Sequence, residues 1–411
     1  MIDRRSRVWL RVVVPFCAGY FLSYLLRTVN AVISPELTNE LGLSASGLGL
    51  LTSAYFLSFA AMQIPVGILL DRFGPRRVEA ILLVVAAAGA LLFGLSHSVA
   101  TLTLSRALIG LGASACLMAS LKGFSQWFGN ERMAGLTGLV MSVGGLGAVT
   151  ASVPLEHALP ILGWRGAFFV LTGLLLVAAG VIGFGVIEAP HGTNRDSLRA
   201  QFRDLLTVVR SRQFRRFVPQ AGFFVGSFMA MQGLWAVPWL INVDGYDRRA
   251  AADHLMWLNF AALFGQLTIA ALATRLARAG VPTIRIMYGG QALSLLTQLL
   301  ICAGVPASLP LWFAYGMFNT TGALMYSTLA AFYPLALAGR VMSTINLIAF
   351  VGAFSIQWGF GVLIDTLSAH GVATAAAYRL SFGLLILAQF AALLRLLSGG
   401  ERRAGSIVAA P

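Results

Sequence analysis

Residues 67–77, GILLDRFGPRR, join two long apolar runs, and their reading decides how the rest of the chain is read. The Gly74-Pro75 pair marks a sharp turn. Asp71 falls where a helix end needs a cap or an ion pair. Arg72, Arg76 and Arg77 would hold a short loop at one face of a membrane. Gly67 is expected to let a neighbouring helix approach closely.

Working outward, the chain is 58% hydrophobic and only 11% charged over 411 residues. A soluble domain carries roughly 25% charged residues, so most of this surface faces lipid. Apolar runs of about 20 residues recur along the chain, each long enough to cross a hydrocarbon core about 30 Å thick. Twelve are read, at 9–33, 46–69, 78–96, 100–123, 134–156, 164–187, 217–241, 254–273, 284–303, 308–332, 341–364 and 374–397. The N-terminus runs directly into the first of them, without the pattern of a cleavable signal. Cys17, Cys116 and Cys302 lie inside spans, with neither disulfide nor metal-ligand spacing, and read as small buried hydrophobes.

The net charge of +14 raises nucleic acid as a partner, but its distribution excludes it. With the N-terminus in the cytoplasm, 23 of the 29 basic residues fall in inside segments. Only Arg165, Arg248, Arg249 and Arg379 fall in outside loops, and Arg27 and Arg106 remain in the membrane. This asymmetry puts both termini in the cytoplasm, and the arginine-rich composition suggests a bacterial inner membrane.

Residues 188–216 break the apolar rhythm with a polar, basic stretch. They divide the chain into an N-terminal six-helix bundle (1–190), a cytoplasmic linker (191–216) whose arginines suit lipid headgroups, and a C-terminal six-helix bundle (217–411). The halves echo each other. GILLDRFGPRR after span 2 faces AALATRLARAG (270–280) after span 8, and a glycine-rich segment follows span 4 as another follows span 10. Such duplication is the arrangement in which two bundles rock about a shared midplane site.

The 67–77 stretch resembles the signature loop between helices 2 and 3 of the major facilitator superfamily. Arg106-Ala107-Leu108-Ile109-Gly110-Leu111-Gly112 and Gly163-Trp164-Arg165 are similar to two further segments of that family. The resemblance covers essentially the whole chain. It implies an all-α membrane fold of twelve helices in two pseudo-symmetric bundles, alternating access, and a latch built on Gly67, Asp71, Arg72, Gly74, Arg76 and Arg77. The second copy departs from the pattern, with Ala270 and Thr274 where glycine and an acid would stand, so the implied latch is asymmetric.

Polar residues inside the spans must indicate the cargo. Arg27 sits in FLSYLLRTVNAVISP (21–35) with no acid before Glu36. Burying an arginine at a bilayer centre costs about 3–15 kcal/mol, so a compensating group is required. Counted along their helices at about 1.5 Å per residue, Arg27 and Arg106 reach a similar depth, and the family places both helices around its cavity. No carboxylate falls near the middle of a span. Two unneutralised guanidinium groups in a wet cavity call for an anionic solute, organic or phosphorylated. Asn30, Gln63, Gln232, Trp235, Asn259, Asn319 and Asn346 are the further candidates for solute binding, with inter-helix bonding as the competing role of the amides. Arg106 snorkelling outward, and Arg27 folding toward Glu36 or Glu156, are the competing fates of the cations.

Without a central acid, proton coupling would fall to Glu156 or His157 at the outer end of span 5, and proton symport is preferred. A drug or metabolite efflux antiporter is the alternative, although span 5 lacks the Gly-Pro pair of such exporters. A non-transporting sensor or scaffold would call for an added soluble domain. No nucleophile-base pair, phosphate loop or metal-ligand cluster suggests an enzyme, a metal or a cofactor. A monomer is expected.

Overall fold

The computed structural model describes residues 8–187 and 206–398. The expected division at 190/191, the first part of the linker, the arginines at 4, 5, 7, 402 and 403, and the linker arginines at 195, 199 and 203 lie outside the described residues. Described residues 206–210 are helical, as far as the linker can be followed.

Among the described residues every regular element is a helix. Six helices precede the linker: α1 (Trp9–Leu41), α2 (Ala45–Phe73), α3 (Pro75–Leu95), α4 (Val99–Ser125), α5 (Asn130–Thr150) and α6 (Val153–Gly185). The first opens with a π-helical turn, and α4 is interrupted at Ser114 and Ala115. Six follow: α7 (Arg212–Asn242), α8 (Arg248–Arg278), α9 (Thr283–Cys302), α10 over 308–330, α11 (Leu335–Ala369) and α12 (Thr374–Leu397). A 3-10 turn, Thr320–Ala323, interrupts α10. Among the described residues nine of these helices are long and apolar enough to cross a membrane. The other three, α8 to α10, stand where spans 8, 9 and 10 are expected.

Local chemistry sets the turns. Ser44 and Ser98 accept the amides of Gly47 and Thr101 at 3.2 and 3.3 Å, capping α2 and α4. Gly42 closes α1 at φ 61°, a conformation costly for a side chain. Gly74, at φ 79°, followed by Pro75 at the first position of α3, makes the α2–α3 turn. Helices extend beyond the apolar spans that mark them. Arg248 and Arg249, expected in a loop, open α8, and Glu36 and Glu40 belong to α1.

The two halves meet along three seams: α1 on α7, α2 on α11 and α5 on α8. Small residues let backbones touch there. A Cβ on Gly49 would come 2.7 Å from the Gln357 carbonyl oxygen, and one on Gly361 would overlap the backbone of Ala45. Gly67 differs from expectation: a Cβ there would meet open space, so no helix packs against it. All five of the described inter-half hydrogen bonds and ion pairs at the helix ends fall at the end of the bundle opposite the linker, here the far end. Asp365 accepts the amides of Ala45 and Ser46 at 3.0 and 2.8 Å. Arg248 pairs with Glu36 and approaches Glu156 at 3.7 Å, and Arg249 Nη2 lies 3.4 Å from His157 Nε2.

Candidate functional site

Arg27 is buried where α1 meets the second half. Its guanidinium carbon lies 4.4 Å from the ring centre of Tyr24, one turn earlier on the same face, 5.2 Å from Phe350 on α11 and 5.7 Å from Phe59 on α2. Phe59 and Phe350 stack at 4.1 Å across the halves. Cation–π contact with three rings offsets part of the desolvation of the charge. The Tyr55 hydroxyl lies within reach of the guanidinium, no carboxylate does among the described residues, and its Nε is buried without a partner. Neither acid considered for it is available, because Glu36 and Glu156 face Arg248.

Arg106 is also buried, so it does not snorkel outward. Its Nη1 donates to the Leu26 carbonyl at 2.8 Å, and its guanidinium carbon lies 5.0 Å from the Tyr55 ring. It is thus tied to the residue beside Arg27, and Tyr55, stacked on Phe59, extends the aromatic wall toward it. Arg27 meets aromatic rings and a hydroxyl, whereas Arg106 bonds a backbone carbonyl.

One turn from Phe59 and Phe350, Gln63 and Asn346 meet across the seam. Asn346 Nδ2 donates to Gln63 Oε1 at 3.2 Å, and Asn346 Oδ1 accepts from Tyr326 on α10 at 3.0 Å. This polar chain adjoins the arginine box. The remaining candidates are elsewhere. Gln232 Nε2 donates to Asn259 Oδ1 at 2.7 Å, and Asn259 Nδ2 donates to the Ala148 carbonyl at 3.0 Å and Ser152 at 2.9 Å, a bridge across the α5–α8 seam. Asn30 donates to Thr52 at 3.1 Å within the first half. Trp235, expected in the cavity, is fully buried and reaches the seam, its ring 3.4 Å from where a Cβ on Gly49 of α2 would stand. It packs on Phe360 and Tyr378 and donates to the Gln357 carbonyl at 2.9 Å. Asn319 is buried on α10 with its Nδ2 unpartnered.

At the linker end, Asp71 pairs with Lys122 on α4 of the same half, Arg72 lies over Phe73, Arg76 Nε donates to the Gly183 carbonyl at 2.7 Å, and Arg77 is exposed. In this conformation these recorded contacts tie the loop to its own half. No carboxylate is expected near the middle of a span, and Glu79 stands on the second turn of α3, near its end; it is nevertheless fully buried.

Twelve helices in two halves, a glycine-turned loop after the second, and a charge-bearing box at the seam decide the matter. The chain belongs to the Major Facilitator Superfamily. The family's sequence profile matches residues 16–357. This superfamily member is 28% identical over 256 residues to the "Probable sulfoacetate transporter" of Cupriavidus necator, a match covering 57% of this chain and 58% of that protein. It is 21% identical over 317 residues to the "Probable hexose phosphate transport protein" of Chlamydia pneumoniae, covering 70% of each. In fold it resembles a bacterial homologue of the human lysosomal transporter Spinster, solved inward-facing and unoccupied. That comparison has a TM-score of 0.79 at 16% identity and covers 97% of both chains. The protein is a multi-pass membrane protein of a family of transporters, not of enzymes, and it spans a little over half the length of the sulfoacetate relative.

Proposed function

We propose that this transporter carries a small organic or phosphorylated anion across a bacterial inner membrane by alternating access, in symport with protons. The observation that carries this reading is Arg27. Its buried guanidinium has three aromatic neighbours, the Tyr55 hydroxyl as its polar neighbour and no carboxylate partner among the described residues, so an anionic group would complete its bonding and balance its charge. Arg106 adds positive potential from the next helix, and the Gln63–Asn346–Tyr326 chain offers donors and acceptors to the rest of the solute. Relatives named for sulfoacetate and hexose phosphate agree in charge. Positive-inside charge places the linker, and both termini, in the cytoplasm. The far-end seal then shuts the outer side, and the solute enters and leaves this conformer from the cytoplasm. The halves 1–190 and 217–411 act as the rocking bodies, joined by 191–216, in a monomer.

A thermal-shift screen tests the class. Purified protein is heated with sulfonates, carboxylates, sugar phosphates, neutral sugars and cationic drugs. At 100 times its dissociation constant a ligand adds about 2.7 kcal/mol of stability, a clear rise in Tm. Shifts confined to anions are expected, and shifts confined to neutral or cationic compounds would overturn the reading.

A further inference from the structure

Glu79 has no part in the anion box, yet it is an acid sealed from water without a counter-ion among the described residues. It is fully buried on α3, no strong donor reaches either carboxyl oxygen, and its polar neighbour is the Cys116 thiol, a weak donor. Its Oε1 lies in a notch on α1 that exists only because residue 19 is glycine: a Cβ there would overlap that oxygen, and Ile182 of α6 closes the side. The titratable groups facing it are the thiols of Cys17 on α1 and Cys116 on α4. On α6 the neighbours Ile182 and Gly183 are uncharged, and on its own helix Arg76 directs Nε to the Gly183 carbonyl. A buried carboxylate with no counter-charge and only a thiol as donor is costly to keep ionised. A proton removes that charge without any rearrangement.

The lid over Glu79 comes from the helices that form the anion site. α1 presents Gly19 to Glu79 and Arg27 to the seam, eight residues or about 12 Å further on. α4 presents Arg106 to the Leu26 carbonyl and, beyond its interruption at Ser114 and Ala115, Cys116 to Glu79. An anion that draws the two guanidinium groups together moves the same two helices that seal the acid. Glu79 also stands about 6 Å along α3 from Pro75 at the linker end, a short distance from water.

We propose that Glu79 is an intramembrane proton-binding site, loaded in this conformation and coupled to the anion site through α1 and α4. This rests on the anion-carrier reading for its coupling, though not for the proton site itself. Two measurements separate the two. Infrared difference spectra of the purified protein at neutral pH, without solute, should show the C=O stretch of a protonated carboxylic acid in wild type and not in Glu79→Gln. If the glutamine variant does not insert, Glu79→Asp should retain the band at a shifted frequency. A wild-type spectrum without this band, or an unchanged band in Glu79→Gln, overturns the site.

The second measurement uses proteoliposomes and radiolabelled sulfoacetate, D-glucuronate and glucose 6-phosphate, taking whichever exchanges. Glu79→Gln should keep solute-for-solute counterflow within about twofold of wild type and lose accumulation driven by a pH gradient. Gradient-driven accumulation equal to wild type overturns the coupling, as does loss of counterflow together with accumulation. Absence of exchange by wild type with all three solutes counts against the anion carrier and the coupling, and the infrared band still decides the proton site.

Discussion

Phe59 on α2 and Phe350 on α11 stack face to face at 4.1 Å, with 12° between their planes, and both lie within 6 Å of the Arg27 guanidinium. One aromatic contact therefore joins the halves and walls the buried charge. Opening the far end must separate this stack, which couples the state of the seam to the surroundings of Arg27. Phe350→Ala should lower affinity for the transported anion and raise far-end exposure. A stacked aromatic pair contributes about 0.5–1.5 kcal/mol beyond its burial, so the exposed population should rise about 2- to 13-fold. Spin-label distances between α2 and α11 would show it.

Asp365 closes the same seam at its far end by accepting two amides at the N-terminus of α2. A carboxylate there is favoured by both hydrogen bonding and the helix dipole. Asp365→Ala should favour the far-end-open state by about 1–3 kcal/mol, the size of a charge-assisted bond. A cysteine placed at Ser46 in that background should react with a membrane-impermeant thiol reagent at least fivefold faster. An unchanged rate would show that the clasp does not hold the seam.

Glycine at two positions on α2 gives opposite outcomes. Gly49 faces the Gln357 carbonyl so closely that Gly49→Ala must push α11 away, whereas Gly67 faces open space. Gly49→Ala should cost about 1–3 kcal/mol through overpacking. Gly67→Ala should leave stability within about 1 kcal/mol and transport unchanged, since a helical glycine-to-alanine change is itself mildly favourable. Thermal denaturation in detergent, followed by uptake, compares them. A large loss in Gly67→Ala would mean that the loop's glycine acts in a conformation other than this one.

Asp71 and Lys122 form a half-exposed pair, the kind worth about 0–1 kcal/mol. Asp71→Asn should therefore leave Tm nearly unchanged. If the loop also stabilises the linker-end-shut conformer, the variant should lower the maximal transport rate more than it changes the apparent affinity. An unaltered maximal rate would remove the latch.

The fold was legible because hydrocarbon thickness and charge asymmetry leave coarse marks on a sequence, and because GILLDRFGPRR carries a turn that glycine and proline alone make cheaply. Arg27 was legible for the same reason: a charge in an apolar run needs an explanation. Tyr24 could have been found from its three-residue spacing to Arg27. Phe350 and Tyr326 could not, because helix packing over 300 residues of separation selects them. The partners of Trp235 were not legible, because the sequence does not say which face of α7 packs on Phe360 and Tyr378. Glu79 was missed because an acid near the end of an apolar run looks like a loop residue until helices α1, α4 and α6 are seen to cover it.

The most direct test replaces Arg27. In proteoliposomes loaded with the anion that gives the largest thermal shift, Arg27→Ala should reduce exchange by at least tenfold, as loss of a charged hydrogen-bond partner worth about 1.5–3 kcal/mol requires. Its folding and insertion should remain intact by size-exclusion profile, and Arg27→Lys should recover only part of the rate because a point charge replaces a planar fork. Exchange by Arg27→Ala at the wild-type rate and affinity would contradict the account.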